Sequence, residues 1–118
     1  MKKKSYELAK LENKRWSIFT DDLKLCYVCK LHGIERPASD KHEIIGGTNR
    51  RNSMRYGYVL PLCRTCHVSF TNNHRLMLEW AVKCQEHFYS KGGTLEEWLS
   101  VFHTNYKYKL KKIKKPGR

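Results

Sequence analysis

Apolar and polar positions follow several distinct periods along this chain, and the changes of period delimit its elements. Leu76, Met77, Trp80, Cys84 and Phe88 recur at three- and four-residue intervals, which predicts a helix with that face in the core. The helix is expected to begin after the second cysteine pair and to be interrupted near Thr71-Asn72-Asn73. Gly92-Gly93 ends it, and Thr94-x-x-Glu97 is a capping-box signature that opens a further helix with Leu95, Trp98, Leu99 and Phe102 inward. Upstream, residues 41–45 with β-branched Ile44 and Ile45, and Tyr58-Val59-Leu60-Pro61-Leu62, predict two strands of a hairpin. The polar stretch from Thr48 to Gly57 is too long for a tight turn and is expected to be an extended basic loop carrying Arg50, Arg51 and Arg55. Tyr6, Leu8, Leu11 and Trp16 fit a lead-in helix, and Leu31 to Asp40 reads as a loop.

These elements resolve into a lead-in segment over 1–22, a folded domain over 23–106 and a tail over 107–118. The tail is Lys-rich, including Lys111, Lys112, Lys114 and Lys115. It has no apolar period to fold on, so it is expected to be mobile. A chain of 118 residues buries only about 65% of its unfolded surface, and its core calls for a staple. Cys26-x-x-Cys29 and Cys63-x-x-Cys66 supply one: four soft thiolates in two knuckles suit a tetrahedral structural zinc ion. Cys84 falls in the apolar stripe of the predicted helix and is read as a small core residue.

The balance of 24 Lys and Arg against 11 Asp and Glu leaves a net charge of +13, the footprint of a nucleic-acid partner. The Lys runs have no apolar face beside them to hold a bilayer, and the chain has no apolar run of membrane-span length. Paired thiols of the metal-binding kind point to the cytoplasm.

With four cysteines for the zinc, His42, His67 and His74 are left for a second, open metal site, and Glu43 stands beside His42 as a candidate base for water attacking a phosphodiester. Each lone histidine can instead be an ordinary polar residue, and His32, His87 and His103 are read so.

The order of these motifs resembles the HNH endonucleases of the ββα-metal, or treble-clef, fold, and more narrowly small phage-encoded members. The resemblance is carried by Cys26-x-x-Cys29, His42-Glu43-Ile44-Ile45-Gly46-Gly47, Asn49-Arg50-Arg51, Tyr56-Gly57 and Leu62-Cys63-x-x-Cys66-His67. It implies an α+β fold: a small zinc-stapled ββα-metal domain with flanking helices. It implies a metal-dependent DNA endonuclease in which His42 and His67 hold a divalent ion (Mg, Mn, Ni or Zn), His74 assists, and Glu43 takes the place of the general base. Arg50, Arg51, Arg55 and the tail lysines would bind DNA phosphates. Tyr58 stands where the family has an asparagine, and Thr71 where many members have a histidine. A second register makes Asp40 the ligand and His42 the base. Against the enzyme stand two alternatives: a non-catalytic zinc-stabilised nucleic-acid-binding module, and a phage recombination or packaging accessory acting in the host cytoplasm with other phage proteins.

Overall fold

Each Cys-x-x-Cys pair opens a helix. In the computed structural model, which describes residues 6–114, the Cys29 amide donates to Cys26 Sγ at 3.5 Å and the chain turns into α2 (Tyr27–Leu31). The segment after α2 folds back on the one before it: Leu25 bridges Pro37, and the Cys26 amide donates to Arg36 O at 2.7 Å. The expected loop therefore lies flat on the first knuckle and delivers the chain to β1 (Asp40–Glu43).

β1 pairs antiparallel with β2 (Val59–Leu62), with His42 opposite Leu60 and Glu43 opposite Val59. The hairpin was legible in the runs at 41–45 and 58–62, although β1 ends at Glu43, ahead of the β-branched Ile44 and Ile45. Its connection was not. The expected extended basic loop is a short 3₁₀ turn (Gly47–Asn49) followed by α3 (Arg50–Tyr56). Two side chains anchor α3: Met54 is buried, and Ser53 exchanges hydrogen bonds with the Ile45 backbone, accepting from its amide at 3.2 Å and donating to its carbonyl at 2.5 Å. Gly57 caps α3 at φ 75°, a left-handed conformation that glycine adopts without a Cβ penalty.

Ahead of the knuckle, α1 (Tyr6–Asn13) lies against α3. Trp16 reaches the α3 cap, where a Cβ on Gly57 would stand 2.8 Å from the indole. The Ile18 amide donates to Gly57 O at 2.9 Å. Past β2, α4 (Arg64–Thr71) carries the second knuckle.

The chain forms two compact units, residues 1–68 and 69–118, and the division falls inside α4. It cuts through the stretch 23–106 that the sequence suggested as one domain. The first unit buries Ile44, Ile45, Met54, Tyr58, Val59, Leu60 and Leu62 around the hairpin.

The second unit is helical. α5 (His74–Ser90) starts where expected, with the Asn73 side chain accepting from the Leu76 amide at 3.0 Å. The capping box of Thr94 and Glu97 is present on α6 (Leu95–Phe102). Trp98 and Phe102 are buried as expected, with Trp98 edge-on to Phe88 at 5.4 Å, whereas Leu95 and Leu99 are 42% and 36% exposed and not inward. An eight-residue helix has room for only one buried seam, and the two larger aromatics occupy it.

The expected mobile tail is another correction: residues 106–114 form α7 (Tyr106–Lys114), packed on α5. Its first turn is held by fully buried Gln85, whose Oε1 accepts from the amides of Tyr106 at 2.9 Å and Lys107 at 3.1 Å. Among the described residues no helix is long and apolar enough to cross a membrane.

Candidate metal centre and histidine site

The two knuckles bring Cys26, Cys29, Cys63 and Cys66 together with all four Sγ atoms within 4.8 Å of one another. Cys29 Sγ lies 3.8 Å from both Cys63 Sγ and Cys66 Sγ. A tetrahedron with zinc–sulfur bonds of about 2.3 Å has sulfur–sulfur edges of about 3.8 Å, so the cluster has the dimensions of a closed Cys₄ site. The four cysteines could hold a structural metal such as zinc.

Their environment suits thiolates unevenly. The Cys66 backbone amide brings the Cys63 thiol down to about 6, while burial pushes Cys66 and Cys29 up. Arg36, which sequence reasoning did not single out, donates to Cys29 Sγ at 3.7 Å and places a cation beside the sulfurs. Its own guanidinium is held in the charged form by Cys63 and then Cys29. Cys84 belongs to the second unit, fully buried, with its thiol kept protonated by burial. That agrees with a core role.

The histidine site lies where β1 meets α4. Asp40 and His42 are two residues apart on the strand and share a face. His67, one residue past the second knuckle, donates its amide to Cys63 O at 2.9 Å and thereby extends the knuckle into α4. Its ring lies 4.9 Å from that of His42, and its Nδ1 is 2.8 Å from Asp40 Oδ2.

Asp40 is held below the usual carboxylate range, first by this bond and further by Ser39 and Arg64. An ionised Asp40 accepts from Nδ1–H of His67, so in the neutral form of the ring Nε2 is the nitrogen with a lone pair to offer. His42 is pushed down to about 4 by burial, and then by the charge of His67, so it is a neutral imidazole at pH 7.

Glu43, one residue on, faces the other side of the strand. Both its oxygens are taken by guanidinium groups: Oε2 by Arg15 Nε at 3.0 Å and Oε1 by Arg50 Nε at 2.9 Å. Arg50 also bonds Glu12, and Arg51 and Arg55 both reach Glu7, so all three arginines of the expected phosphate-binding loop have acidic partners within the chain.

His74 begins α5 in the second unit, exposed. Among the described residues no set of three His, Cys, Asp or Glu side chains other than the cysteine cluster gathers its donor atoms. Lys111 and Lys112 are exposed on α7, Lys114 ends it, and Lys115 lies outside the described residues.

Asp40 was legible in part, since Asp-x-His on a strand places both side chains on one face; Arg15 and Arg36 gave no local signal. No protein-family model, curated protein or solved structure matches the chain.

Proposed function

We propose that this protein is a zinc-stapled, metal-dependent DNA phosphodiesterase of the HNH, treble-clef kind, with His42, His67 and Asp40 as its chemical centre. The observation that carries the reading is the juxtaposition of the His42 imidazole of β1 with the His67 imidazole beside the second knuckle, 4.9 Å apart, with the Asp40 carboxylate bonded to Nδ1 of His67. A divalent ion held by His67 with His42 or Asp40 would supply charge stabilisation at the phosphate and the leaving oxygen. No third donor gathers with the two imidazoles among the described residues, so open positions remain for water and phosphate, as a hydrolytic site requires.

The chain's own residues do the rest. Asp40 orients the His67 ring through its bond to Nδ1. His42, neutral at pH 7, is able to accept a proton or a metal bond without first losing one. Glu43 is a poor match for the base role, because each of its oxygens faces an arginine; it ties α3 and the Arg15 segment to the hairpin instead. This favours the register with His42 as the proton acceptor. The exposed lysines of α7 and the net charge of +13 supply attraction to phosphates.

A second reading, a zinc-stabilised nucleic-acid-binding module without catalysis, is favoured by one observation: among the described residues, Asp40, His42 and His67 do not gather their donor atoms around one point as the four cysteines do. Nicking of supercoiled plasmid with Mg, Mn, Ni or Zn, against EDTA and folded His42→Ala and His67→Ala variants, separates the two. Metal-dependent nicking that both substitutions abolish supports the enzyme. DNA binding without cleavage under every metal supports the module.

A further inference from the structure

We propose that α1 is an intramolecular stand-in for a nucleic-acid phosphate backbone, seated on the arginines of α3 and displaced when nucleic acid binds. The inference rests on the nucleic-acid reading above and adds its regulation. α3 presents Arg50, Arg51 and Arg55 in two turns of helix, Arg51 and Arg55 on one face at a four-residue interval. Each is partnered by α1. Glu7 takes Arg51 at 3.7 Å and also Arg55, and Glu12 takes Arg50 and, at 3.8 Å, Arg15. A row of guanidinium forks on a strongly basic chain is the recognition surface expected for phosphates, and here carboxylates of the same chain occupy it.

The attachment is of a kind that a polyanion can compete for. No residue of α1 is buried, and Leu8 and Leu11 are half-buried at its margin. Glu7, Arg51 and Arg55 are 55%, 46% and 41% exposed at their side chains, so these pairs sit in solvent and are each worth little. The firm anchor comes later in the chain, where Trp16 covers Gly57 and the Ile18 amide bonds Gly57 O. The stronger hold within α1 itself is Glu12, 14% exposed at its side chain and paired with Arg50 and Arg15, so the N-terminal turns of α1 are the part most open to displacement, and they can leave α3 without disturbing the α3 cap. Arg50 would keep Glu43 after α1 departs, which holds its guanidinium in place on the hairpin side.

The test is anisotropy titration of a labelled DNA duplex with the full chain, wild type against Glu7→Gln/Glu12→Gln. Asp21→Asn/Glu96→Gln is the control, carrying the same change in net charge on exposed acids that are not paired with α3. With α1 released, the competent fraction rises, and the Glu7→Gln/Glu12→Gln protein should bind about tenfold tighter at low salt than the control. A variant that binds no tighter than the control overturns the inference and leaves the nucleic-acid reading standing; no DNA binding by any of the proteins overturns both. Hydrogen exchange on the wild type supplies the second measurement and is immune to any folding defect of the variants. Saturating duplex should speed exchange of the α1 amides over 7–13, and α1 protection that is unchanged or increased overturns the inference.

Discussion

Gln85 is the residue on which the placement of α7 turns, and its replacement by methionine can be worked through from the structure. The side chain is fully buried in α5 and makes four hydrogen bonds. Nε2 donates to Tyr89 Oη at 2.7 Å and Asn105 Oδ1 at 3.0 Å; Oε1 accepts from the Tyr106 and Lys107 amides. Methionine keeps the length and the helix propensity and removes every polar atom.

Four bonds at about 1 kcal/mol each set the upper scale, about 4 kcal/mol. Tyr89 can turn its hydroxyl to water, and Asn105 Oδ1 keeps the Tyr108 amide at 3.2 Å, so roughly half of that is recovered. The two amides of the first turn of α7 are the ones left without their acceptor. The expected loss is about 2 to 3 kcal/mol, with α7 fraying first. Urea denaturation followed by tryptophan emission, with Trp16 of the first unit replaced by phenylalanine in both proteins, reads the second unit, since Trp80 and Trp98 both belong to it and Trp98 lies 6.3 Å from the Tyr106 ring. With a urea slope of about 1 to 2 kcal/mol per molar, the midpoint should fall by about 1 to 3 M. A shift under 0.5 M, or far-ultraviolet ellipticity unchanged before the transition, would refute the claim that Gln85 caps α7.

Two further outcomes test the first unit. Zinc analysis of the purified protein should find one ion per chain, and its removal by a chelator should unfold the hairpin unit, because the free energy of such a site, about 10 kcal/mol or more, is folding free energy; a chelated, metal-free protein with the same melting temperature would contradict this. His42 should make the fold acid-sensitive. Its folded value of about 4 lies below the unfolded 6.5, so between those pH values the unfolded chain binds the extra proton, and the stability present above pH 6.5 is lost as pH falls through 4. The loss is at most about 3 kcal/mol before solvent screening, and the urea midpoint should fall further between pH 7.5 and 5 for the wild type than for His42→Gln; equal falls would contradict this.

What the sequence disclosed and what it hid divide along the range of the interactions. The knuckles, the hairpin strands, the start of α5 and the Thr94 capping box are local, each written within a few neighbouring residues, and all were legible. α3 was read as loop because it buries little beyond Met54 and Ser53, too few positions to show a period. In α7 the period of Tyr106, Leu110 and Ile113 is drowned by lysine, and its cap is supplied from 21 residues upstream. No pattern in residues 106–114 could have announced Gln85.

The same distinction governs the candidate site. A sequence motif assigns chemistry by position, and position alone makes Glu43 a base and Arg50, Arg51 and Arg55 phosphate ligands. Geometry assigns by partner, and the partners of these four residues are one another, together with Arg15, Glu7 and Glu12. One ionic network thus occupies the expected base and, while α1 is seated, the expected DNA contacts, and the opposite face of the same strand keeps Asp40 and His42 directed at His67. A two-residue alternation on β1 is enough to separate a charge-neutralised face from one that carries the Asp40, His42 and His67 cluster. If Glu43 belongs to the first, Glu43→Gln should cost stability through Arg15 and Arg50 and leave metal-dependent chemistry in place, whereas His42 substitutions should do the reverse.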